Sequence, residues 1–173
     1  MNEKLAKEIL RKLENASDLE LLNMLDDLRK DSSPGILAHL LSRWKKSDNK
    51  EVTEKLFAYF ADLKDADALE TVMQAMRSED NLEKRNSLIS VLWLSSLDAS
   101  EHLEELVEMA IDGDLMSVVE ISTVIENLDA EFNEEEIMEC IYRIDEELIE
   151  SDDEDKVSML DNLKELVNKL KVS

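Results

Sequence analysis

The chain has 173 residues, 43% of them apolar and 36% charged, with a formal net charge of −23. That size supports one substantial core or one short repeat array, and the apolar share is enough to fold it. Two glycines and one proline leave few tight turns, which argues against strand-rich folds and against glycine loops that cradle phosphates. The excess of acid argues against direct contact with nucleic acid or anionic membranes.

Good helix formers dominate, and capping residues mark where helices begin. The first predicted helix spans 2–15. Ser17 with Glu20 three positions on forms a capping box that opens a helix over 18–30. Ser33 followed by Pro34 opens 34–46, because a first-turn proline has no N–H to leave unpaired. Asp48 opens 49–64, in which Leu56, Phe57, Tyr59, Phe60 and Leu63 make one apolar stripe. Asp65 opens 66–78, and Asp80 or Asn81 opens 82–97. In that last helix Leu88, Ile89, Val91, Leu92, Trp93, Leu94 and Leu97 point nearly all round, as in a layer covered on both sides. Ser100 opens 101–112, whose Leu103, Leu106, Val107, Ala110 and Ile111 oppose Glu101, Glu104, Glu105, Glu108 and Asp112. Gly113 suits a left-handed residue closing that helix. Asp114, Asn133 and Asp152 or Asp153 then open 115–129, 134–150 and 154–171.

Alternate starts recur at a fixed step. Odd helices begin near 2, 33, 65, 100 and 133, even ones near 17, 48, 81, 114 and 152. A step of thirty-odd residues holding two helices is the signature of an α-solenoid, in which stacked hairpins bury what one hairpin cannot. The chain is therefore expected to be one all-α domain over 1–173, with helix pairs at about 2–30, 33–64, 65–97, 100–130 and 133–171. A closed helical bundle is the alternative. The patterns of tetratricopeptide and ankyrin repeats are absent. The segment Ser87-Leu-Ile-Ser-Val-Leu-Trp-Leu-Ser-Ser-Leu-Asp98, followed by the acidic hairpin 101–129, resembles short bacterial HEAT-like (armadillo-type) repeat proteins over roughly residues 30–150. That resemblance implies a curved right-handed stack with a protein-binding surface and no catalytic residues. Most repeats here lack the proline usual in the first HEAT helix.

Charge is placed unevenly. Residues 1–64 are neutral overall, and residues 65–173 carry the entire −23. Between Asn86 and Asp155 stand twenty-three acids and one base, Arg143. Such a surface attracts basic protein surfaces. The expected function is a non-catalytic protein-interaction module that docks a basic protein partner. Glu101, Glu104, Glu105, Glu108, Glu135, Glu139, Glu146 and Glu150 are its candidate contacts, with Trp44 as an anchor. Two other readings remain open: a nucleic-acid mimic that inhibits a DNA-binding protein, and a lyase of the kind found among HEAT-like proteins.

The remaining constellations favour plain structural roles. The acid run Ser151–Asp155 lacks the glycine of an EF-hand loop and suits a helix N-terminus. His39 and His102 sit on different helices with no partner at zinc spacing, so neither metal nor cofactor is expected. Glu120 stands at the edge of an apolar stripe, where partial burial is expected. Arg143 can pair with Glu139 and Glu147, four residues away on either side. Trp93 reads as core and Trp44, before Lys45-Lys46, as a candidate for exposure. Met73, Met76, Met109, Met116 and Met138 read as gap-filling core. Cys140, the one cysteine, fits a reducing cytosol, and its acidic neighbours Glu139, Asp145, Glu146 and Glu147 oppose a thiolate. The N-terminus lacks the apolar core of a signal peptide, and Leu88–Leu97 is about half the length of a membrane span, so a cytoplasmic protein is expected.

Overall fold

Several helices begin where a side chain accepts a backbone N–H that the first turn leaves over. The computed structural model describes residues 3–28 and 33–173. Among them ten α-helices form: α1 (Glu3–Glu14), α2 (Asp18–Leu28), α3 (Pro34–Lys46), α4 (Lys50–Phe60), α5 (Leu69–Arg77), α6 (Leu82–Leu94), α7 (Leu103–Ile111), α8 (Leu115–Glu126), α9 (Glu134–Glu150) and α10 (Glu154–Val167). The expected ends at residues 2, 29 and 30 lie outside the described residues. Ser17 N donates to Glu20 Oε2 at 2.8 Å while Glu20 N reaches Ser17 Oγ at 3.4 Å, completing the capping box. Asn49, not Asp48, caps α4, accepting from Glu51 N at 3.1 Å. Asp114 caps α8, Asn133 caps α9 and Asp153 caps α10.

Several helices are shorter than their apolar periods suggested, because terminal turns tighten or leave the helix. Short 3-10 turns at Ala66–Ala68 and Ser100–His102 precede α5 and α7. The chain beyond α10 does not continue as helix. Lys171–Val172 (β2) pairs in parallel with Glu131–Phe132 (β1), so its backbone groups find partners across a ladder instead of along a helix.

The described residues group into two units, one within Met1–Glu79 with Leu94–Leu97 and one formed by Asp80–Trp93 with Asp98–Ser173. In the first, α3 packs on α1, α4 and α5, and α2 packs on α4. Leu37, Leu40, Val52, Leu56 and Phe60 are fully buried there. Trp44 is 7% exposed and meets Phe60 edge-on at 6.3 Å. The exposure expected for Trp44 is thus corrected: α4 returns an aromatic ring over the last turn of α3. Ser96 N donates to Leu63 O at 3.0 Å, tying residues 94–97 to the end of α4.

In the second unit α7 packs on α8 and α9, and α10 packs on α8 and α9. A polar staple joins α6 to α8. Asn86 Nδ2 donates to Asp114 Oδ1 at 2.9 Å, and Ser117 Oγ donates to Asn86 Oδ1 at 2.7 Å. Leu88, Ile89, Val91 and Leu92 are buried as expected, but Trp93 is 37% and Leu94 42% exposed. The all-round burial expected for this helix therefore stops at its last turn. Gly113 is also not left-handed. It is glycine because a Cβ there would collide with Ser117 and lie 2.8 Å from Met109 O. No helix among the described residues is long and apolar enough to cross a membrane.

Candidate partner-binding site on α7 and α9

α7 and α9 are both amphipathic, and each turns an acidic face away from its apolar stripe. On α7, Leu103, Leu106, Val107 and Ala110 are buried while Glu101, just before it, and Glu104 are exposed. On α9, Ile137, Cys140 and Ile144 are buried while Glu135, Glu139, Glu146 and Glu150 are exposed. Because α7 and α9 pack directly together, the two acidic faces meet. A cleft of about 430 Å³ lies between them, lined by Glu104, Glu105, Val107, Glu108, Glu139, Cys140 and Arg143. Four of the eight glutamates singled out from the sequence thus share one cleft. Glu135 and Glu139 also line a neighbouring depression of about 490 Å³ with Met138 and Tyr142. Glu101, Glu146 and Glu150 lie outside both. Trp44 is buried, so it offers no exposed anchor.

Arg143 does not pair along its own helix. Its guanidinium reaches Glu108 Oε1 on α7 at 2.7 Å, with both side chains partly exposed. A helix-spaced pair lost to a cross-helix one because α7 lies within reach of the long arginine stem. Lysines from α10 relieve the opposite side of α9: Lys156 holds Glu147 at 3.0 Å and Lys164 holds Asp145 at 2.5 Å. Glu101, Glu104, Glu135, Glu139, Glu146 and Glu150 have no basic partner among the described residues. These six carboxylates offer their charge to solvent.

The field is visible in the groups it surrounds. Burial pushes the Cys140 thiol up to about 12, helped by Glu104, Glu136, Glu139 and Glu108. Two of those four glutamates come from α7 and are far from Cys140 in sequence, so the protection exceeds what its immediate neighbours supply. A thiol held this firmly protonated is a poor nucleophile. Burial likewise raises Glu136, with Glu104 adding to it. Tyr142 donates its hydroxyl to Glu146 Oε1 at 2.7 Å, which raises the phenol.

The other candidates resolve into structural contacts. Glu120 is half-buried and accepts the indole N–H of Trp93 at 2.8 Å. Asp153 accepts from Asp155 N and Lys156 N, so the acid run at 151–155 caps α10. His102 contacts Glu105 at 3.3 Å, and His39 is half-buried. Among the described residues no three His, Cys, Asp or Glu side chains converge as metal ligands. A larger groove, about 690 Å³, lies between α3 and α5. Two of its charged members are engaged: Lys45 binds Ala75 O at 2.6 Å and Glu79 at 3.4 Å, and Glu70 binds Arg77 at 2.6 Å. The rest of its wall holds Lys46, Gln74 and small apolar and hydroxyl side chains.

Sequence reasoning missed a second apolar stripe on α9. Met138, Tyr142 and Ile149 are 64%, 56% and 85% exposed. At about 100° per residue they fall within roughly 40° of arc, about 150° round the helix from the buried Ile137–Cys140–Ile144 stripe. Their spacing of four and seven residues was the available signal. Met138 and Met116, read as core, are both exposed, whereas Met73, Met76 and Met109 are buried.

No family model, curated protein or solved structure matches this chain.

Proposed function

We propose that the chain is a non-catalytic protein-binding module of HEAT-like character whose α7–α9 surface docks a basic protein. One observation carries the reading: packing of α7 on α9 merges two acidic faces, and six of their carboxylates have no basic partner among the described residues. Carboxylates left exposed and unpaired steer cationic partners and set register with little cost in desolvation. The HEAT-like part rests on contact order. α1, α3 and α5 touch in succession, as do α2 with α4, α7 with α9, and α8 with α10. Next-but-one contacts of this kind are what stacked helix hairpins make. The buried members of the cleft's lining are Val107 and Cys140, whose thiol is held protonated.

Affinity purification at low salt followed by a salt step tests the docking. Basic proteins held by the chain should elute as ionic strength rises. They should bind far less to a variant with Glu104, Glu135, Glu139 and Glu146 changed to Gln. Equal capture by that variant would sink the proposal.

A further inference from the structure

The α9 surface carries more than charge. Three of the nine large apolar side chains most exposed among the described residues, Met138, Tyr142 and Ile149, stand in one stripe on this helix. Singly exposed apolar residues are ordinary, but an aligned set rimmed by polar groups marks an interaction site. The stripe is straight and spans about 16 Å, three turns at 1.5 Å per residue. Glu135, Glu139, Glu146 and Glu150 run along one edge of it, exposed and without basic partners among the described residues. Tyr142, which donates its hydroxyl to Glu146, puts an aromatic side chain at the middle of the stripe. The backbone of α9 is closed within its own helix. An extended peptide would find no main-chain partners there, whereas a helix needs only side-chain contacts.

We propose that the occupant of this face is an amphipathic helix of a partner protein, with an apolar stripe seated on Met138, Tyr142 and Ile149 and lysines or arginines along its edge meeting the four glutamates. This rests on the docking reading above and adds the shape and apolar content of the partner. A second copy of the chain is the poorer fit, since two such faces would bring eight carboxylates together.

Fluorescence anisotropy with two labelled peptides, each about 18 residues long, tests it. One is a lysine–leucine helix with leucines at helical spacing. The other keeps the same lysines and has serine at every leucine. The leucine peptide should bind, and a Met138→Ser/Ile149→Ser variant should weaken it at least about tenfold. A Met138→Leu/Ile149→Val variant should keep the affinity, and circular dichroism should show all three proteins equally helical. Equal binding of both peptides, unchanged by the serine variant, overturns the helix proposal and leaves acidic docking standing. Failure of both peptides to bind at low salt overturns both. A dimer in sedimentation that the serine variant dissociates overturns the proposal in favour of self-association.

Discussion

The indole N–H of Trp93, at the end of α6, donates to the carboxylate of Glu120 on α8 at 2.8 Å. The pair joins an exposed tryptophan to a half-buried glutamate, and each explains the other's position. Trp93 keeps its polar edge satisfied without entering the core, and Glu120 stays at the border of an apolar stripe with its carboxylate hydrogen-bonded. The buried tryptophan is the other one. Trp44→Ala should therefore cost about 3–5 kcal/mol, the usual loss for a large core aromatic. Trp93→Ala should cost about 1 kcal/mol, the order of one hydrogen bond and a partial contact. Urea unfolding of the two variants checks the order; a larger loss at Trp93 would refute it.

Gly113 should tolerate no side chain, for a reason unrelated to its backbone angles. A methyl group at this position would strike Ser117, in the first turn of α8 that Asp114 caps, and approach Met109 O on α7. Gly113→Ala should lower stability by about 1–3 kcal/mol through overpacking. A Gly113→Ala/Ser117→Gly double variant should recover part of that loss, because it opens the space the methyl needs. Thermal melts of the three proteins measure both steps.

Helix number and order are legible in this chain because caps are local. Asn49, Asp114, Asn133 and Asp153 each bond a backbone N–H only two or three residues away, so sequence spacing holds the information. The side a helix end turns to solvent is not local. Trp44 is buried because Phe60, sixteen residues on, returns over it, and Trp93 is left partly open at the last turn of α6. The acidic faces of α7 and α9 follow from helical period alone. Their meeting depends on which helices pack, and so does the choice of Glu108 as the partner of Arg143. The stripe of Met138, Tyr142 and Ile149 was readable as a second apolar face. A reading that assigns every apolar residue to the core hides it.

Acid should loosen the α6–α8 staple. Burial alone would raise the Asp114 carboxyl, but hydrogen bonds from Asn86 and from Ser117 N and Oγ outweigh it and hold the carboxyl below its ordinary value. A group whose folded value is depressed contributes stability above its unfolded value, and that contribution is lost as pH falls through the folded one. The contribution of Asp114 is thus present at neutral pH and disappears below about pH 4. Asp114→Asn should lower the urea midpoint at pH 7 and make it less sensitive to acid than the parent's. Parallel pH profiles for the two proteins would show that the staple does not hold the carboxylate.

Cys140 reports the integrity of the α7–α9 packing. With burial and four glutamates holding its thiol up to about 12, the thiolate fraction at pH 8 is negligible, and only the thiolate reacts. Ellman's reagent should leave the folded chain unmodified at pH 8 and label it promptly in urea. Changing Glu104 to Gln removes one repelling charge but not the burial, so labelling of the folded chain should stay slow. Fast labelling of that variant would mean charge, not burial, shields the sulfur.

Salt should stabilise the chain even though it weakens the ion pairs. The pairs that cross helices here are partly exposed, Arg143 with Glu108 among them, and exposed pairs are worth about 0.2–1 kcal/mol each. Arg143→Ala should therefore cost at most about 1 kcal/mol. Against that stands the mutual repulsion of a net −23 chain, most of it between carboxylates more than a few ångströms apart, where screening acts most strongly. Raising salt from about 10 to 200 mM shortens the screening length from about 30 Å to less than 10 Å. The melting temperature should rise over that range, and rise more for Arg143→Ala, which has lost the one cation of the α7–α9 face. A melting temperature that falls with salt would show that paired charges, not the unpaired glutamates, dominate the surface.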